Sequence, residues 1–280
     1  MFDGVSKAHG LNIKQMKQSM LDPVTTLELI DSFVTYKYGA HCLDEGALAE
    51  PGQVVRLMAR EGAKFIFRHA GSPIEKIFLN VINLAGVLSD WLPFMFERST
   101  GDAGEYARER REFSQWITTA RRVFIETTGD SSLDSFLDFC ISAGYLAPEG
   151  RRRSHFGLLI DQVFGLNNAC HFVLQARFPN IKVGTRSIRP DMYIFRPLDD
   201  KFNVVVECDG YRYHNSPEEF DRDRRRDRVL QLKGFDVLRY SGSEIAADPI
   251  AVVGDLVNFL ETKDQAPKVW FDNDSEEEAV

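Results

Sequence analysis

Arg189-Pro190-Asp191-Met192-Tyr193-Ile194, then Val204-Val205-Val206-Glu207-Cys208-Asp209-Gly210, then Asp221-Arg222-Asp223-Arg224-Arg225-Arg226-Asp227-Arg228, then Gly234-Phe235-Asp236-Val237-Leu238-Arg239-Tyr240 follow one another in the C-terminal third of the chain. Two apolar runs, Met192 to Phe195 and Phe202 to Val206, flank Pro197-Leu198-Asp199-Asp200-Lys201. This pattern predicts a β-hairpin with a turn of four or five residues. Asp191 opens the first strand and Glu207 closes the second, so antiparallel pairing brings both carboxylates to one edge. Glu207 and Asp209, at i and i+2, share a face, about 7 Å apart at their Cα atoms for a rise of roughly 3.4 Å per residue. Such clustering of acids is costly without a cation. Asp191, Glu207 and Asp209 are therefore expected to converge on one hard divalent ion, and oxygen-only ligation suits Mg²⁺ or Mn²⁺ rather than zinc.

Ser216-Pro217-Glu218-Glu219 supplies an N-cap serine, a proline at the first helical position and a glutamate three residues after the cap. A helix is predicted from Pro217 to about Lys233, stopped by Gly234. Phe235 to Tyr240 reads as a strand, and Asp248-Pro249 starts a last helix running to about Leu260.

The spaced set Pro190-Asp191, Glu207-x-Asp209-Gly210, Arg222-Asp223-x-x-Arg226-Asp227-Arg228-x-Leu230-Gln231-x-x-Gly234-Phe235-x-Val237-Leu238-Arg239-Tyr240-x-Gly242-Ser243-Glu244-Ile245 resembles the endonuclease domains of the PD-(D/E)XK superfamily, and within it the branch related to the very short patch repair endonuclease. Ser72-Pro73-Ile74-Glu75-Lys76 is similar to that branch's first-helix glutamate. The resemblance implies a mixed α/β (α+β) fold with a restriction-endonuclease-like αβββαβ core, whose first strand falls at Ile181 to Ser187. It also implies a metal held by Asp191, Glu207 and the backbone carbonyl of Cys208. Asp209 stands where the family has lysine, which leaves open the residue assisting the attacking water. His214 is the most attractive substitute because imidazole titrates near neutral pH. Arg226 and Arg228 can stabilise phosphate charge but cannot act as bases.

Outside this stretch the chain divides into an N-terminal helical region (1–70), nuclease core (71–90 and 180–263), helical insertion (91–179) and acidic tail (264–280). Leu27, Ile30, Phe33 and Val34 have helical spacing, and Ile74, Ile77, Phe78, Val81, Ile82 and Ala85 form one apolar stripe over Ser72 to Leu88. In the insertion, Ala103 to Thr127, Ser132 to Tyr145 and Phe156 to Phe178 favour helix. The tail carries Asp272, Asp274, Glu276, Glu277 and Glu278 and reads as disordered.

The composition, 44% hydrophobic and 27% charged, is that of a globular protein. Without a membrane-spanning run, a signal peptide or paired cysteine spacing among Cys42, Cys140, Cys170 and Cys208, a cytoplasmic location is expected. A net charge of −8 speaks against an extended nucleic-acid coat but not against a local basic surface.

Each candidate has a structural reading as well. Glu75 sits at N3 of Ser72-Pro73-Ile74-Glu75, where a capping box accounts for it; Glu219 has the same pattern. Glu207 and Asp209 can pair with Arg224 or Arg228. His214 can be a plain loop residue, and Asp223 with Arg226 has the spacing of a helix ion pair. The expectation is an Mg²⁺- or Mn²⁺-dependent endonuclease acting on DNA. Its catalytic residues are Asp191, Glu207, Asp209, Glu75 and His214; Arg222, Arg225 and Arg226 contact the backbone, and the insertion is available to a protein partner. The alternative is a degenerate nuclease fold that binds nucleic acid or protein.

Overall fold

The structure, a computed structural model, describes residues 12–43, 51–88, 95–98, 101–142, 170–197, 199–209 and 217–263. In chain order the elements are α1 (Ile13–Ser19), α2 (Pro23–Tyr38), α3 (Pro51–His69), α4 (Pro73–Leu88), β1 (Met95–Glu97), α5 (Ala103–Thr128), α6 (Leu133–Ser142), β2 (His171–Leu174), β3 (Phe178–Val183), β4 (Arg186–Ile188), β5 (Met192–Arg196), β6 (Asp199–Asp209), α7 (Pro217–Gln231), β7 (Asp236–Ser241), α8 (Gly242–Ala247) and α9 (Pro249–Lys263). A five-stranded sheet runs in the order β1-β2-β5-β6-β7, and β3 and β4 form a separate two-stranded sheet.

β5 and β6 lie in the middle of the sheet. All five residues of β5 and Val204 to Val206 of β6 are buried, which explains continuous apolar runs rather than alternation. Met192, Ile194, Val204 and Val206 face a core shared with α4, α8 and α9. Tyr193, Phe195 and Val205 face a second core with Val173, the start of α5, the β3–β4 hairpin and Leu230 of α7. β5 pairs antiparallel with β6 in the register Met192↔Val206, and β6 pairs parallel with β7 in the register Glu207↔Arg239. Asp191 and Glu207 therefore stand at the same end of neighbouring strands, and β7 brings Arg239 alongside.

α4 is buried without interruption from Ile77 to Val87 because it is covered on several sides. Its two buried amides are tied to the N-terminal helices. Asn80 Nδ2 donates to the Met20 carbonyl (3.1 Å) and Asn83 Nδ2 to the Ala59 carbonyl (2.7 Å). Each amide thus has its N–H donor satisfied inside the apolar core.

Three sequence expectations are corrected. The strand expected at Ile181 to Ser187 is instead the β3–β4 hairpin, outside the main sheet, and β2 takes the slot antiparallel to β5. All four β2 residues are buried, whereas Lys182 and Arg186 are exposed, so a buried slot selects His171-Phe172-Val173-Leu174. The helix expected up to Phe178 gives way, in its described part, to β2 and the start of β3; burial on the sheet overrides local helical preference. The segment read as a helical insertion also contains β1, parallel to β2. In addition, the β5–β6 ladder extends to Arg196↔Asp199, so Asp199 to Lys201 belong to β6 rather than to the turn.

Candidate active site

Asp191 is fixed by three contacts. Its Oδ2 accepts from the Cys208 backbone N–H (2.9 Å) and its Oδ1 from Gln175 Nε2 (3.3 Å), while its carbonyl accepts from the Gln175 N–H (2.7 Å). Gln175 follows β2 with φ of 51°, a left-handed conformation uncommon outside glycine.

Glu207 is only 5% exposed. Burial pushes its carboxyl up to about 8; contact with Arg226 opposes this, and the charges of Asp191 and Asp209 add to it. Arg226 Nη2 makes an ion pair with Glu207 Oε1, yet that oxygen has no aligned hydrogen bond. The same Nη2 donates to the Arg189 carbonyl (2.9 Å).

Asp209 is drawn toward β7. Arg239 Nη1 donates to Asp209 Oδ1 (2.7 Å), while Nε and Nη2 grip Asp227 Oδ2 and Oδ1, each at 2.9 Å. Burial works against the Arg239 charge, but the two carboxylates outweigh it and hold it protonated. One guanidinium thus ties β6, α7 and β7 together and places a positive charge beside Asp209.

Glu75 lies at the first turn of α4. The Glu75 N–H donates to Ser72 Oγ (3.2 Å), and Glu75 Oε2 accepts from the N–H groups of Gly71 (2.6 Å) and Ser72 (3.3 Å). This is a capping box extended by one residue. Glu75 also lines, with His69, Asp191 and Cys208, a small cavity of about 20 Å³, room for a single water-sized species. Burial pushes the Cys208 thiol up, and Asp191, Glu75, Glu207 and Asp209 all reinforce it. Four of the five expected catalytic residues are therefore gathered around Cys208; the fifth, His214, lies outside the described residues. Among the described residues, no group of three or more His, Cys, Asp or Glu side chains is arranged to hold a metal.

Arg222, Arg225 and Arg226 line a groove on the α7 side of this site. Arg239 and Gln175 were not singled out from the sequence as contacts of the site. The one available signal for Arg239 was a lone cation inside the apolar strand Val237-Leu238-Arg239-Tyr240.

Residues 177–260 match the family model REase_MTES_1575, a restriction endonuclease-like family. That segment is restriction endonuclease-like. The match covers β3 to β7, α7, α8 and most of α9, and it indicates nuclease chemistry in general. Comparison with curated proteins and with solved structures returned no match. No helix among the described residues is long and apolar enough to cross a membrane.

The donor chemistry fits a hard divalent cation. Every expected ligand is an oxygen, and the buried Glu207 Oε1 has no aligned hydrogen bond to satisfy it. A set of two carboxylates and one carbonyl needs no third acidic side chain.

Proposed function

We propose that the protein is a metal-dependent endonuclease that hydrolyses DNA phosphodiester bonds. The observation that carries this reading is Glu207: a nearly inaccessible carboxylate, next to Asp191 at the end of the central strands, in a segment matching a nuclease family. Asp191, Glu207 and the Cys208 carbonyl would hold Mg²⁺ or Mn²⁺. When bound, such an ion polarises a phosphoryl oxygen and lowers the pKa of water.

The chain's own residues do the rest. The Cys208 N–H and Gln175 hold the Asp191 carboxylate in one orientation. Arg226 balances Glu207 until an anionic substrate offers the guanidinium another partner. Arg239 keeps Asp209 in place and adds positive charge near the scissile phosphate, but it cannot accept a proton. Arg222 and Arg225 bind the backbone without reading sequence. His214 remains the proposed group that assists water. The finer kinship with the very short patch repair branch rests on motif spacing alone.

Asp191→Ala and Glu207→Ala are expected to abolish Mg²⁺-dependent cleavage of DNA while the protein stays folded by circular dichroism. Undiminished cleavage by both variants would end this reading. A second reading is favoured by the ion pairs on Glu207 and Asp209: a nuclease fold whose acids serve structure, acting as a binding module. It predicts DNA affinity with no strand cleavage across an Mg²⁺ and Mn²⁺ titration.

A further inference from the structure

A broad groove lies beside the acidic site rather than in it. It has a volume of about 470 Å³ and is walled on one side by Gly184, Thr185, Arg186 and Ser187 and on the other by Arg222 and Arg225. Arg226, which is paired with Glu207, also lines it, and Asp223 is the single carboxylate in the lining among the described residues. With Arg226 balanced by Glu207, three further arginines stand against the one lining acid, in a chain of net charge −8, and make a local field that favours an anion.

Both walls are held in place from beneath. Phe178 and Ile188 of the hairpin pack with Leu230 of α7 in one apolar core, supported by Ile181, Val183, Val229 and Phe235. Phe178 stands edge-on to Phe235, with centroids 5.1 Å apart. The turn is equally defined: Val183 pairs with Arg186, and Gly184 takes φ of 61°, as the first central position of a primed hairpin turn requires. Above this base Thr185, Arg186, Ser187, Arg222 and Arg225 are all exposed. The lining carries guanidinium forks and hydroxyl donors, the groups that bind phosphate oxygens without discriminating bases.

We propose that the β3–β4 hairpin and α7 form a cleft for one strand of DNA, its phosphates passing between Arg186 and the Arg222/Arg225 pair and reaching the active site at Arg226. The identity of the anion rests on the nuclease reading above; the cleft itself does not. Because Arg226 both lines the cleft and touches Glu207, a phosphate arriving there contacts the group that balances the catalytic carboxylate.

The test uses the full-length protein in EDTA, so that binding is read without cleavage, with fluorescence anisotropy of a labelled DNA oligonucleotide. Between roughly 50 and 200 mM salt, Arg186→Gln and Arg225→Gln should each weaken binding several-fold and each reduce the salt slope by about one. Arg122→Gln, at an exposed position of α5, should change neither, and circular dichroism should show all three folded. Wild-type affinity and slope in Arg186→Gln would overturn the hairpin's role, as would weaker binding with an unchanged slope. Displacement of DNA by polyglutamate at equal charge would overturn the assignment to nucleic acid. Loss of binding in a protein that never cleaves would leave the cleft standing and remove the nuclease; cleavage with wild-type binding in both variants would do the reverse.

Discussion

Glu207, the carboxylate proposed to hold the metal, is in a poor place for stability. Burial raises its carboxyl to about 8, so the folded protein binds that proton more tightly than the unfolded chain, whose glutamates titrate near 4.5. A raised folded pKa contributes stability that is complete below about 4.5 and is lost as pH climbs through about 8, a change on the order of a few kcal/mol. In EDTA, the resistance of the wild type to urea denaturation should therefore fall as pH rises across this window, while Glu207→Gln should have a flatter profile and greater stability at pH 8.5. Parallel profiles for the two proteins would show that Glu207 is not buried in this way. Its placement beside Asp191 at one end of neighbouring strands was legible in the sequence, because three valines end in an acid and a Pro-Asp pair opens the partner strand. Arg239 and Gln175 were not. Their roles depend on a parallel register and on a left-handed turn, and neither leaves a mark in local composition.

α4 raises the question of whether an acid at a helix start is a cap or a catalyst. Glu75 does the work of a cap, holding the N–H groups of Gly71 and Ser72, and it also borders the cavity containing Asp191. Glutamine at N3 still completes a capping box, whereas alanine does not. Glu75→Ala should cost about 0.5–2 kcal/mol of stability, and Glu75→Gln much less. If Glu75→Gln nevertheless loses at least tenfold in cleavage rate, the carboxylate has a role beyond the helix end; full activity in Glu75→Gln would assign it to capping. Helices with strong punctuation were readable. Pro73 to Leu88, Ala103 to Thr128 and Pro249 to Lys263 were all anticipated within a few residues, and Gly234, with φ of 84°, stops α7 as a glycine should. β2 was missed because four buried residues carry no periodicity of their own, and Ile181 to Ser187 has strand chemistry that is used in a separate two-stranded sheet rather than in the main one.

How the parts cooperate depends on what covers what, and hydrophobic spacing gives only the apolar face. The sequence divides naturally near residue 70, yet one continuous core runs from Met16 through Ile30, Phe33, Ile66, Phe78 and Val204 to Leu260. α2 and α3 are joined by Asp31, gripped by Arg56 Nε (2.8 Å) and Arg60 Nη1 (2.6 Å), and α4 is bonded to Met20 at the end of α1 through Asn80 and to Ala59 of α3 through Asn83. The active-site strands rest on this assembly through Met192, Ile194 and Val206. Ile30, fully buried in α2 and far in sequence from the acids, should therefore matter to them. Ile30→Ala is expected to cost about 2–5 kcal/mol. Since the core is shared, that loss should appear as a lower midpoint of one common transition, with amide protection in β5 and β6 falling together with that in α2. Hydrogen exchange would decide it: α2 opening while β5 and β6 keep wild-type protection would mean that the N-terminal helices are a separate cooperative unit. Protection lost in step would mean that the carboxylates owe their positions to helices containing none of them.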